Sequence, residues 1–239
     1  MPVIVLRSLA FALGLVLITP PYSLLALATF PLPRLVRYRI ITGWSRTVIW
    51  LARAVLGIRY SVRGRERLPT HPAVILAKHQ SAWETLAFQA IFPPQVLVVK
   101  RELLWIPFFG WGLALTSPIA IDRGRGPSAL KRMAELGRRR LAQGFWITVF
   151  PEGTRTRPGE RRPYHVGGAW LAVQCGAPVV PVAHNAGLLW GRNAFLKRPG
   201  TVTVEIGPTL QSAGADPHAL NAAAEEWIES RMTALGASH

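Results

Sequence analysis

The residues that could do chemistry sit in a few short runs. The first is Lys78-His79-Gln80-Ser81-Ala82-Trp83-Glu84. A histidine leaving a strand and a carboxylate in the first turn of the next helix can fold back on each other. The carboxylate would hold the proton of one ring nitrogen, and the other nitrogen would act as a base toward a substrate hydroxyl. Ser81-x-x-Glu84 equally fits a capping box, in which Glu84 only closes the helix start. The second run is Phe150-Pro151-Glu152-Gly153-Thr154-Arg155. A buried strand ending in Pro-Glu-Gly makes a tight exit, Gly153 is free to take φ > 0, and Arg155 can present a two-pronged donor to a phosphate. A solvated basic loop with Arg157, Arg161 and Arg162 is the plainer reading. The third run extends from Lys100 through Trp105, Pro107 and Gly110 to Ile121-Asp122-Arg123. Its apolar Trp105–Trp111 stretch could line an acyl or membrane-facing groove, with Arg123 as a second phosphate ligand. A core loop plus a surface ion pair would use the same residues.

Each run needs an element to aim it. Apolar runs at Ala73–Ala77, Val96–Val99, Pro118–Ile121, Phe145–Phe150, Val179–Ala183 and Thr201–Ile206 predict strands. Helices are predicted over Ala82–Phe92, over Ser128–Gln143 with Ser128 as N-cap, over Val166–Gln174, and from Asp216-Pro217 to about Leu235. Strands alternating with helices predict an α/β domain with a mostly parallel mixed sheet flanked by helices. His79, Arg123, the Glu152–Arg155 run and His184 then all follow the carboxyl ends of strands, where open α/β sheets bind ligands. The lone Cys175 excludes a disulfide framework and reads as a packed thiol. No metal-ligand spacing is present.

The segment before this domain is different. Ser8 to Pro33 carries no charge, which is long enough for hydrocarbon, but Pro20-Pro21 predicts a kinked span or a segment that dips and returns. A signal peptide cleaved after Ala26-Leu27-Ala28 is a third reading. Arg39, Arg46 and Arg53 recur every seven residues and would share one helix face among Ile, Val and Trp residues. That pattern fits a helix in the plane of an anionic bilayer. The expected division is therefore a membrane-binding hydrophobic and amphipathic helical segment over 1–57 and the α/β domain over 58–239. Across all 239 residues, 28 Lys and Arg against 12 Asp and Glu give a net charge of +16, which calls for an anionic partner. Half the residues are hydrophobic, so a membrane surface suits the chain better than nucleic acid, although a membrane-anchored nucleic-acid-binding module remains the alternative from another class.

Together these blocks resemble the glycerolipid acyltransferase family typified by 1-acyl-sn-glycerol-3-phosphate acyltransferase. That family shows H-x-x-x-x-D, a P-x-x-G stretch leading to I-D-R, then F-P-E-G-T-R and V-P-V. Here these stand as His79…Glu84, Pro107-Phe108-Phe109-Gly110 with Ile121-Asp122-Arg123, Phe150–Arg155, and Val180-Pro181-Val182. Glu84 occupies the place of the family's aspartate. The resemblance implies transfer of a fatty acyl group from coenzyme A or acyl carrier protein, as co-substrate and without a cofactor, to the hydroxyl of a lysophospholipid. The acceptor would be 1-acyl-glycerol-3-phosphate or another lysolipid such as lyso-ornithine lipid. It also implies that His79 is the base and Glu84 its orienting acid. Arg123, Glu152, Gly153, Thr154 and Arg155 would hold the glycerol phosphate, and Trp105, Pro107, Gly110 and Pro181 would line the acyl site. If the first segment spans, the arginines from Arg34 on put the rest of the chain in the cytoplasm, so the expected location is the inner membrane with the active site facing the cytoplasm.

Overall fold

The computed structural model describes residues 1–122 and 126–236. A seven-stranded sheet forms its middle layer. The strands are β1 (Ile58–Arg63), β2 (Val74–Ala77), β3 (Gln95–Lys100), β4 (Ile119–Ile121), β5 (Trp146–Val149), β6 (Val179–His184) and β7 (Gly200–Ile206). Their order is β1-β7-β6-β2-β5-β3-β4. All neighbours are parallel except β6 and β7. β2, β5 and β6 are buried along their whole length, which is why they read as unbroken apolar runs. β1 lies at the edge and pairs with β7 alone among the strands, Ile58 opposite Gly200 and Arg63 opposite Glu205.

Helices cover both faces. Ile75 and Ala77 of β2 face a core that includes Trp83 and Phe88 of α4 (Trp83–Ile91), while Val74 and Leu76 face the other layer. That second layer holds α6 (Pro127–Ala142), α7 (Gly167–Cys175) and α9 (Pro217–Gly236), while the single-turn α8 (Ala186–Leu189) links β6 to β7. Asp216 opens α9 as expected, its Oδ2 accepting the Ala219 N–H at 2.8 Å. The N-cap of α6 lies two residues earlier than its sequence suggests. Gly126 is the N-cap position, so Ser128 lies inside the first turn.

The amino-terminal segment departs most from expectation. One helix, α1 (Pro2–Ala28), runs through Pro20 and Pro21. The Thr19 hydroxyl donates to the Leu15 carbonyl and the Ser23 hydroxyl to the Thr19 carbonyl, so side chains bond backbone oxygens in the turns beside the prolines. Both ends of the helix are fastened to the domain: Phe11 is fully buried against Trp190, and Ser23 and Ala26 are buried farther along. The opposite face exposes Leu6, Leu9, Leu13, Leu17 and Leu24. The helix is long and apolar enough to cross a membrane, yet only 11% of its most apolar window is buried. The arginines at 39, 46 and 53 do not share one helix. Thr42 separates α2 (Arg34–Ile41) from α3 (Gly43–Leu51), and a π turn over Ala52–Leu56 follows. All three are nonetheless exposed. Val48, Ile49, Ala52 and Leu56 enter the same core as Ile75 and Val182, so the helices before residue 58 complete the fold of the sheet.

Candidate active site

β2 ends at Ala77, and the chain turns through Lys78–Ala82 into α4. That turn brings the His79 ring onto Glu84: Nδ1 lies 2.8 Å from Oε1. The same oxygen accepts the backbone N–H groups of Gln80 at 2.9 Å and Ser81 at 2.7 Å. The Ser81 hydroxyl oxygen in turn accepts the Trp83 N–H at 3.0 Å. Ala82, not Ser81, is the N-cap of α4, so only the Glu84 half of the capping box forms, and the same oxygen that accepts the two backbone amides holds the imidazole. An ionised carboxylate accepts only, so Nδ1 carries the hydrogen and Nε2 is left across the ring as the acceptor. Burial opposes ionisation of Glu84, but His184, His79 and the Ser81 N–H outweigh it and hold the carboxyl below its usual range. The His79 ring stacks on Phe150, centroids 4.1 Å apart.

The Phe150–Arg155 loop follows β5, the parallel neighbour of β2. Gly153 takes φ 69° as its place in the turn requires. This loop clamps the backbone of His79 from both sides. Glu152 Oε1 accepts the His79 N–H at 3.2 Å, while the Thr156 N–H and hydroxyl donate to the His79 carbonyl at 2.7 and 3.1 Å. The Glu152 side chain is completely buried, so it points into the protein and not toward a phosphate, which a carboxylate would repel. Burial pushes its carboxyl up to about 7, with Lys78 opposing. Thr154 and Arg155 are half-buried on the loop surface, and Thr156 supplies the contact to His79 that the string itself did not reveal. Arg123 lies outside the described residues.

Behind the pair, His184 at the end of β6 is fully buried, and its Nε2 donates to the Lys78 carbonyl at 2.8 Å while Nδ1 accepts the Ala186 N–H. Burial pushes this imidazole down, with Glu84 and the Lys78 carbonyl opposing, and its two bonds hold the backbone beside His79. Pro181 is buried within β6 opposite Leu76 and shapes the strand, not an acyl wall.

A cleft runs between α1, α3, α4 and α5 (Phe109–Leu115), lined among others by Tyr22, Trp44, Leu86, Phe108 and Leu113. Trp105, Pro107 and Gly110 were expected in such a wall but stand outside it. Trp105 is 68% exposed. Gly110 is buried where a Cβ would come within 2.4 Å of the Leu104 carbonyl oxygen, so it permits the tight bend that presents Phe108 and Phe109 instead. Phe108 has φ 61°, a strained value for a bulky residue, and its carbonyl accepts the Ser23 hydroxyl of α1. Among the described residues no group of three His, Cys, Asp or Glu side chains converges as a metal site would.

Residues 59–185, more than half the chain, match the family model described as Acyltransferase. The chain belongs to this acyltransferase family. A 1-acyl-sn-glycerol-3-phosphate acyltransferase of Pseudomonas aeruginosa is 49% identical over 208 residues, covering 85% of this chain and 81% of that one. The alpha form from Mus musculus is 32% identical over 192 residues, covering 79% and 67%. The crystal structure of the 1-acyl-sn-glycerophosphate acyltransferase PlsC from Thermotoga maritima shares the fold, with a TM-score of 0.80 over 96% of this acyltransferase and 95% of that chain at 22% identity.

Proposed function

We propose that the protein transfers a fatty acyl group from an acyl thioester, carried by coenzyme A or acyl carrier protein, to the free hydroxyl of 1-acyl-sn-glycerol-3-phosphate, giving phosphatidic acid. The observation that carries this reading is the His79 Nδ1–Glu84 Oε1 contact at the carboxyl end of β2, in a chain that belongs to the acyltransferase family. Nε2 of His79 takes the hydroxyl proton as the oxygen attacks the thioester carbonyl. Glu84 stabilises the imidazolium that results, and the proton passes to the departing thiolate. Arg155 and Arg123 hold the acceptor's phosphate, and the acyl chain enters the cleft walled by Phe108 and Leu113. Leu6, Leu13 and Leu17 lie against the inner membrane with α1 along its surface. The domain docks on α1 from Ser8, which accepts the Lys197 N–H, to Ser23, so a crossing helix would draw the domain into hydrocarbon. Exposed Arg39, Arg46 and Arg53 meet anionic headgroups on the cytoplasmic side.

Purified protein in mixed micelles, supplied with the lysolipid and either acyl donor, is followed by lipid mass spectrometry. Phosphatidic acid with stoichiometric thiol is expected. Free fatty acid in place of the diacyl product, or acylation restricted to a lysolipid without a phosphate, overturns the reading.

A further inference from the structure

Lys78 and His79 leave β2 in opposite directions. His79 meets Glu84 of α4 on one face of the sheet, and Lys78 enters the layer of α7 and α9 on the other. Lys78 is 1% exposed. A buried ammonium needs partners, because losing its water costs more than packing returns. Its Nζ lies 2.7 Å from Oε1 of Glu229 on α9 and 3.3 Å from Oε1 of Glu152, and it donates to the Glu160 carbonyl at 3.4 Å. The Tyr164 hydroxyl donates to the same Glu229 oxygen at 2.9 Å. Acyl transfer itself needs none of this charge. Glu152, however, is the group that accepts the His79 N–H.

We propose that Lys78 is a positioning residue: anchored by Glu229, its ammonium holds the Glu152 carboxyl aimed at the His79 N–H, and so fixes the backbone from which the catalytic imidazole projects. This assignment rests on the reading of His79 as the base. Glu152 is in contact with Lys78 and interacts with Tyr164 from the loop before α7; Glu229 of α9 shares the Lys78 ammonium, Glu225 of α9 acts on Tyr164, and His184 of β6 lies on the far side of the Lys78 carbonyl. Burial and the neighbouring carboxylates keep Tyr164 neutral. Lys78 is the cation in contact with it, and it opposes the burial that pushes the carboxyl up to about 7. Without that cation Glu152 keeps its proton to higher pH. A neutral carboxyl is the weaker acceptor, and the amide end of the His79 clamp slackens while the Thr156 end holds.

The test is the pH dependence of kcat/KM for acyl transfer in Lys78→Met, with thermal unfolding measured alongside. The acid limb should move up by about one pH unit. At neutral pH kcat should fall on the order of 10²-fold, the cost of a misplaced reacting group, with the KM for the lysolipid little changed. Adding Glu152→Gln to Lys78→Met should return the limb toward its original place, because the amide oxygen accepts the same N–H and does not titrate. If Lys78→Met fails to fold, Glu152→Gln alone decides: the acid limb should lose one ionisation and become less steep. Limbs unchanged in position and slope in the folded variants overturn the assignment, since a merely structural lysine lowers stability without moving them. His79→Ala assayed in parallel separates the two ideas. Retained turnover there removes the base itself, whereas an inactive His79→Ala with an unmoved limb removes only the role of Lys78.

Discussion

One oxygen of Glu84 accepts from three donors, an imidazole and two backbone amides. Substitutions there should separate charge from shape. Glu84→Gln keeps an acceptor in place, so thermal unfolding should stay near that of the parent while kcat falls on the order of 10²-fold for want of a charge beside the imidazolium. Glu84→Ala also leaves the Gln80 and Ser81 amides without their acceptor and should cost about 1–3 kcal/mol of stability, read from denaturant unfolding. Arg155→Lys should raise the KM for the phosphate-bearing acceptor roughly tenfold with kcat little changed, because an ammonium cannot reproduce the paired donors. His79 and Glu84 were legible because their contact is local, five residues apart. Thr156 and Glu229 were not, because they lie 77 and 151 residues from the positions they hold, and only the register of β2 against β5 and the placement of α9 bring them together. Glu152 was read as a ligand because a string of residue types does not say which way a side chain points.

At the scale of elements, α1 has two faces with different work. Phe11→Ala, on the docked face, should cost about 3–5 kcal/mol, as loss of a fully buried ring does. Leu13→Asp and Leu17→Asp, on the exposed face, should leave unfolding unchanged but lower partition onto vesicles in a flotation assay. Gly110→Ala forces a methyl against the Leu104 carbonyl and should destabilise by about 1–3 kcal/mol, with α5 displaced from the cleft wall. The buried strands were legible from runs such as Ala73–Ala77 and Phe145–Phe150, which tolerate no other environment. The course of residues 34–56 was not, since a seven-residue spacing of arginines cannot show the break at Thr42.

For the whole molecule, two buried acids give stability opposite pH slopes. The folded state raises Glu152 from 4.5 to about 7, so its contribution is full below the ordinary carboxylate range and is lost as pH rises through about 7. Hydrogen bonds from Arg231 and Arg63 hold Glu205 below 4.5, so that contribution is present above 4.5 and is lost on acidification. Glu152→Gln should accordingly flatten the decline in urea midpoints between about pH 4 and about pH 8, a window that brackets 4.5 to about 7. A net charge of +16 should make binding to anionic vesicles fall steeply with added salt, while neutral vesicles show little change. The pairing of β1 with β7 reaches across the chain, with Arg63 and Glu205 separated by 142 residues. β1 follows α1 and the short helices after it in the chain, yet it has no strand neighbour until β7 has been made. That margin of the sheet stays open until residues 200–206 are in place, so a shortened product lacking β7 would present the backbone of β1 as an unpaired edge.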